Sequence, residues 1–344
     1  MTHSEPALPS SLLLVLGMHR SGSSAVTRVL NLLGHALPKT LIPGNASNRR
    51  GHWESQPIAR LNDNYMHEAE LVWSDWVSGV LPRMRSAAMR DFERDIVSYI
   101  AAEFPAGEPA VLKEPRICRL VPRYRSALER RIPLTAVIPV RNPLEVMGSL
   151  IQRNNLTEAN AALLWLRYML DAVIGSEGLP RAFIAYDKLL HEPEESLRKL
   201  EDALGQPHPI KFDHVRSDIE AFLNDDLRRH ERSAEDVLHH DLTRGWVSDA
   251  HMALRVLTED PTAARPLDTL ARIHREFLAA EPMLGRIMQD YDTSLGDLKR
   301  RVAALTASVE LRSEQVRQLR DAVEHSPPES TVTDTSEEAA APTG

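Results

Sequence analysis

The stretch SLLLVLGMHRSGSSAVTRVL, Ser11 to Leu30, constrains the fold more than any other part of the chain. Its first residues, Ser11–Leu16, form a short apolar run closed by Gly17, the pattern of a strand buried on both faces of a parallel sheet. Val26–Leu33 then carries apolar residues at helical spacing and stops at Gly34. A turn from strand to helix presents successive backbone N–H groups beside the positive end of the helix dipole, so an anion can sit there whatever the side chains are. Gly17 and Gly22 match the phosphate-cradling spacing G-x-x-x-x-G-K-[ST], except that Ser23 stands in the lysine position. Gly22 permits close approach, the hydroxyls of Ser21, Ser23 and Ser24 can donate to phosphate oxygens, and Arg20 restores the positive charge that Ser23 lacks.

The rest of the chain repeats this rhythm. Pro109–Pro115, Leu134–Pro143 and Arg181–Leu190 read as further strands, Ala162–Ile174 as a helix, and SLRKLEDALG as a helix that stops at Gly205. Strands alternating with helices predict an α/β fold, a doubly wound parallel sheet flanked by helices. With 344 residues, 42% of them hydrophobic, the chain can bury one large core or two small ones. A formal net charge of -8 argues against a broad nucleic-acid-binding face, although 35 of the 41 basic residues are Arg, suited to bidentate recognition of phosphate or carboxylate. Cys118 is the only cysteine, which excludes a disulfide within the chain and a cysteine-built zinc site, and points to a reducing, cytoplasmic setting. No apolar run approaches the roughly 20 residues of a membrane span, and MTHSEPALPS lacks the basic start of a signal peptide.

The composition changes near the C-terminus. Leu295, Leu298, Val302, Leu305, Val309, Val316, Leu319 and Val323 alternate spacings of three and four, with Arg312 at the one interrupted core position. Residues 291–325 are therefore expected to form a coiled coil for self-association, dimeric or trimeric; an amphipathic helix lying on the globular body is the alternative. Residues 1–10 read as a flexible N-terminus, 11–290 as the globular domain, and 326–344 as a disordered acidic tail with too few large apolar groups to offset ordering.

The anion loop, His19-Arg20-Ser21-Gly22-Ser23-Ser24, resembles the 5′-phosphosulfate loop of sulfotransferases that use 3′-phosphoadenosine 5′-phosphosulfate (PAPS), in its arginine form. His19 departs from the proline of the cytosolic enzymes. The family's second signature, an Arg at a strand end followed eight positions later by a Ser on a helix, is matched by Arg141 and Ser149 in VIPVRNPLEVMGSL. A guanidinium and a helical hydroxyl facing one dianion suit a 3′-phosphate. NRRGHWES (Asn48–Ser55), LKEPRICRLVP (Leu112–Pro122) and FIAYDKLLHEP resemble elements of a bacterial branch. The resemblance runs from Leu12 to about Gly205; the loop that closes on the 3′-phosphate has no clean counterpart, and Arg244-Gly245-Trp246 is a poor stand-in.

The resemblance implies a P-loop NTPase-like fold and a sulfotransferase. A sulfuryl group would pass in line from PAPS to a hydroxyl or amine of an acceptor, most plausibly a carbohydrate or glycolipid, without a metal. PAPS would be held by Arg20, Ser21, Gly22, Ser23, Ser24, Arg141 and Ser149, with Arg20 stabilising the leaving oxygen. Glu54 leads as the general base, its alternative being an ion pair with Arg49, Arg50 or Lys113; His52 is the second choice, and Lys113 either touches the sulfuryl group or pairs with Glu114. Arg116 is placed to hold an acidic acceptor or to lock Glu54, and Trp53, Trp73 and Trp76 serve either the core or a sugar ring. Two other classes compete: a P-loop kinase or other nucleotide phosphotransferase, and a non-catalytic nucleotide-fold scaffold assembled through the coiled coil.

Overall fold

A computed structural model describes residues 6–44, 51–79, 81, 84–223 and 232–324. Asn48, Arg49 and Arg50 of the NRRGHWES element, the first five residues and the segment 326–344 lie outside the described residues. In chain order the elements are β1 (Ser11–Val15), α1 (Ser23–Leu32), α2 (Gln56–Glu68), α3 (Ser86–Glu103), β2 (Pro109–Lys113) and α4 (Ile117–Leu128). Then come β3 (Leu134–Val140), α5 (Pro143–Asn154), α6 (Glu158–Gly175), β4 (Arg181–Ala185), α7 (Tyr186–His191) and α8 (Pro193–Leu204). The chain continues through α9 (Phe212–Phe222), α10 (Ala234–His239), α11 (Trp246–Leu257) and α12 (Ala264–Glu324).

The four strands form one parallel sheet in the order β2-β1-β3-β4. Their residues are almost all buried, all seven in β3, because helices cover both faces. Leu13, Val15, Val111, Val137 and Ile184 face a cluster with α1, α7, α8 and α9. On the other face α6 packs against α4, α5 and α11, and α11 reaches β3 and β4. Pro139 lies inside a central strand without costing a ladder bond, since pairing with β1 ends at Val137. The chain leaves β1 toward β2 on one side and reaches β3 and β4 on the other. A crevice therefore opens between the C-terminal ends of β1 and β3, where sheets of this kind take ligands.

Several strand ends fall short of expectation, β2 stopping at Lys113 and β3 at Val140. The run Arg181–Leu190 is strand only to Ala185; Tyr186 opens α7, with Asp187 in its first turn favouring the helix dipole. α1 opens at Ser23, directly after the glycine, as the hydroxyl pair Ser23 and Ser24 at its start leads one to expect, and the apolar stretch from Val26 follows within it. Gly205 closes α8 in the left-handed conformation, φ 67°, as the C-terminal glycine predicts.

The chain divides into two compact units, residues 1–281 and 282–344. The first holds the sheet and every residue of the site below. In the second, the described residues belong to α12, and Leu298, Val302, Leu305, Val309, Val316 and Leu319 are all exposed. No described helix is long and apolar enough to cross a membrane.

Candidate active site

Gly22 is the N-cap of α1, with φ 89°. A Cβ there would lie 2.2 Å from the ring of Tyr186, so both the backbone angle and the neighbour require glycine. Arg20 also takes a left-handed angle, φ 73°, unfavourable for an L-residue by about 1–2 kcal/mol. Its carbonyl accepts from Nη1 of Arg141 at 3.0 Å, which holds the loop in that shape. Ser21 is fully buried and its Oγ donates to the Met18 carbonyl at 2.7 Å, so this hydroxyl shapes the turn from within. The N–H groups of Gly22, Ser23 and Ser24 have no acceptor among the described residues, as the first turn of a helix dictates.

At the end of β3, Asn142 caps α5 by accepting from the Leu144 N–H at 2.9 Å. One side of α5 then faces the loop, and Ser149 Oγ accepts from Nε of Arg20 at 2.7 Å. Arg141 turns elsewhere: its Nε donates to Oε2 of Glu145 at 2.8 Å, and its guanidinium carbon stands 4.9 Å from the Tyr186 ring centre. The other oxygen of Glu145 accepts from the Arg232 N–H at 3.0 Å, and Nδ2 of Asn142 donates to the Arg232 and Ser233 carbonyls at 3.0 and 2.9 Å. The chain entering α10 is thereby tied to the strand end that carries Arg141. Arg244, by contrast, stands 3.8 Å from Asp241, and Trp246 donates to Glu276 at 2.9 Å.

A second cluster meets the loop through Ser24. The Lys113 ammonium, at the end of β2, donates to Oε1 of Glu54, to the His52 carbonyl at 3.0 Å and to Ser24 Oγ at 3.3 Å, which uses its three protons. Both charged side chains are buried, with 4% and 8% of their surface exposed. Glu114, the first residue after β2, turns away from Lys113 and meets Asn62 and Arg116. Burial pushes the Glu114 carboxyl up although Arg116 opposes the shift. Arg116 also reaches Asp63, so it locks those two acids rather than Glu54.

The turn that presents Glu54 is fixed from below. Ile42 N–H donates to the Glu54 carbonyl at 2.8 Å, and Ser55 caps α2 while donating to the buried Glu103 at 2.8 Å. The three tryptophans separate: Trp76 is core against Phe277, Trp53 lies under the Arg28 guanidinium, and Trp73 meets the edge of His19 at 4.8 Å. His19 Nε2 is buried with no hydrogen-bond partner among the described residues.

The electrostatics are strongly cationic. Burial holds His19 well below the usual imidazole range, helped by Arg116, Lys113, Arg153 and His52. His52 is lowered by burial against the pull of Glu54, with Lys113, Arg153 and Arg20 adding to the shift. The Arg20 guanidinium is lowered by burial, then by Arg153 and Arg141. Arg153 recurs in all three and escaped the sequence reading, although it follows Ser149 by one helical turn, a spacing that places both on one face.

No protein-family model matches the chain, and no curated protein matches it. Among solved structures, the chain is similar to the sulfotransferase domain of the Synechococcus PCC 7002 olefin synthase, at 16% identity and TM-score 0.37, over 80% of this chain and 98% of that one. It is similar also to a sulfotransferase from Mycobacterium avium, at 13% identity and TM-score 0.37, over 67% of this chain and 70% of that one. A third is the sulfotransferase domain from the curacin biosynthetic pathway, at 15% identity and TM-score 0.35, over 78% and 98%. At scores of this size, likeness alone assigns no activity.

Proposed function

We propose that the protein is a PAPS-dependent sulfotransferase acting on a hydroxylated acceptor, most plausibly a carbohydrate or glycolipid. One observation carries the reading: the anion loop after β1 and the Arg141/Ser149 segment after β3 converge, with Arg20 bonded to both. The chemistry of the residues fits the donor. Three N–H groups without acceptors and the α1 dipole suit a phosphosulfate, and Arg141 stands where a second phosphate can take it from Glu145.

PAPS supplies a sulfuryl group on a phosphate leaving group. The acceptor oxygen forms a bond to sulfur as the bond between sulfur and the 5′-phosphate oxygen breaks, and adenosine 3′,5′-bisphosphate leaves. Arg20 and the loop N–H groups neutralise charge growing on that phosphate; of the hydroxyls, Ser23 and Ser24 share this and Ser21 supports the turn. Glu54 takes the acceptor proton, and Lys113 positions Glu54 from the loop side. His52, lowered by burial, is the weaker base.

The exposed apolar positions of α12 are read as the seam of a self-associating coiled coil. Sedimentation of the full chain tests this, and a monomer at all concentrations would refute it.

The deciding experiment for the activity is thermal unfolding with adenosine 3′,5′-bisphosphate, Mg-ATP or buffer. Ligand at about 100 times its dissociation constant adds roughly 2.7 kcal/mol to stability. The bisphosphate should raise Tm in the native chain and fail to do so in Arg141→Ala. A shift with Mg-ATP alone would replace this reading with a kinase.

A further inference from the structure

Both carboxylate oxygens of Glu145 are taken by groups outside its own helix. Oε2 accepts from Nε of Arg141 at 2.8 Å, and Oε1 accepts from the Arg232 N–H at 3.0 Å. An acid in the first turn of α5 gains from the helix dipole, and an exposed glutamate would serve that purpose. Glu145 does something further. Its side chain is only 9% exposed and that of Arg141 14%, so the pair is held away from water at the exit of β3.

Arg141 is locked on three sides: by Glu145, by the Arg20 carbonyl on Nη1 at 3.0 Å, and by the Tyr186 ring, whose centre lies 4.9 Å from the guanidinium carbon. Its Nη2 has no acceptor among the described residues. A second phosphate that reaches Arg141 through Nη2 therefore meets a guanidinium whose charge is already balanced. It must either share that guanidinium with a carboxylate or take Nε from it. Losing Nε does not send Glu145 into solvent, because Oε1 stays on the Arg232 N–H, and Asn142 fixes Arg232 through its carbonyl at 3.0 Å. The negative charge remains beside the incoming dianion.

We propose that Glu145 is an internal competitor for Arg141, one that weakens the hold on any ligand phosphate at this corner and so sets how fast the spent nucleotide leaves. The inference rests on the sulfotransferase reading above and assigns Glu145 a part in it. PAPS and adenosine 3′,5′-bisphosphate carry the same second phosphate, so whatever tightens Arg141 on the donor tightens it equally on the product. Beyond saturation, such uniform binding adds nothing to turnover and slows release. Glu145 is thus a positioning residue that acts on the nucleotide through Arg141.

Calorimetric titration of the full chain would compare adenosine 3′,5′-bisphosphate with adenosine 5′-monophosphate, which lacks the second phosphate. Glu145→Gln keeps the size of the side chain and an oxygen for the Arg232 N–H but removes the charge. It should bind the bisphosphate about tenfold tighter, with correspondingly slower release in stopped-flow, and bind the monophosphate as the native chain does. Thermal unfolding checks that the variant is folded; if it is not, Glu145→Ala is read in its place with the same expectation. Unchanged or weaker bisphosphate binding in the folded variant would overturn the inference and leave Glu145 as the residue that orients Arg141. Equal tightening of the monophosphate would overturn it too, since the effect would not pass through the second phosphate. A native chain that binds the two nucleotides equally, or binds neither, would instead remove the sulfotransferase reading and the inference with it.

Discussion

Nε of Arg20 donates to Oγ of Ser149 at 2.7 Å, across 129 positions of sequence. The bond joins the turn after β1 to the helix after β3 and aims the guanidinium along the crevice. Ser149→Ala should leave the fold intact and remove one restraint on the Arg20 guanidinium. A hydrogen bond to a charged group contributes about 1.5–3 kcal/mol, so kcat/KM for the proposed sulfuryl transfer should fall by roughly ten- to a hundredfold. Ser149→Thr, which keeps the hydroxyl, should recover most of the loss in steady-state kinetics.

Glu54 and Lys113 form a buried ion pair, and removing one partner strands the other charge. Glu54→Gln and Lys113→Met should each lower stability by about 3 kcal/mol. The double variant should regain much of that stability without regaining turnover. Urea unfolding of the four proteins supplies the cycle, and additive losses would show that the pair is not energetically linked.

Gly22→Ala forces a left-handed alanine and a clash with Tyr186. The backbone angle alone costs about 1–2 kcal/mol. Tyr186→Ala removes the clash at the cost of a buried ring, so the test is the coupling: Gly22→Ala should lower Tm less in the Tyr186→Ala background than in the native chain.

His35 Nε2 and His208 Nδ1 lie 3.1 Å apart in the interior. Burial lowers both to about 4, with His208 adding to the shift on His35. In the unfolded chain they titrate near 6.5. Between these values the unfolded state binds protons that the native state refuses, so stability is complete above about pH 6.5 and declines as the pH falls toward 4. The loss is at most roughly 3 kcal/mol per ring. Tm measured from pH 7.5 to 4.5 should fall on acidification, and His208→Gln should flatten that fall even if it lowers Tm at neutral pH.

The strands, the turn after β1 and the exit of β3 were legible because each depends on neighbours in sequence: an apolar run, a glycine, an Arg before Asn-Pro. The partners of those residues were not. Nothing local says that Ser149 serves Arg20 while Arg141 turns to Glu145, or that Tyr186 closes over Gly22. Lys113 and Glu114 could have been separated in advance, since the sequence reads Pro109–Pro115 as a strand and neighbours in a strand face opposite ways. Arg153 was also within reach, one turn from a residue already singled out.

Arg141 holds the Arg20 carbonyl, and Arg20 holds a left-handed angle that it would not keep unaided. The two residues are therefore heritable as one unit. A descendant that exchanged Arg141 for lysine would preserve net charge yet lose the planar fork that reaches both the carbonyl and Glu145, and its loop would relax before any ligand arrived. Among descendants of this chain, loss of the proposed donor binding is then expected to begin with backbone geometry, with the recognisable loop residues still in place.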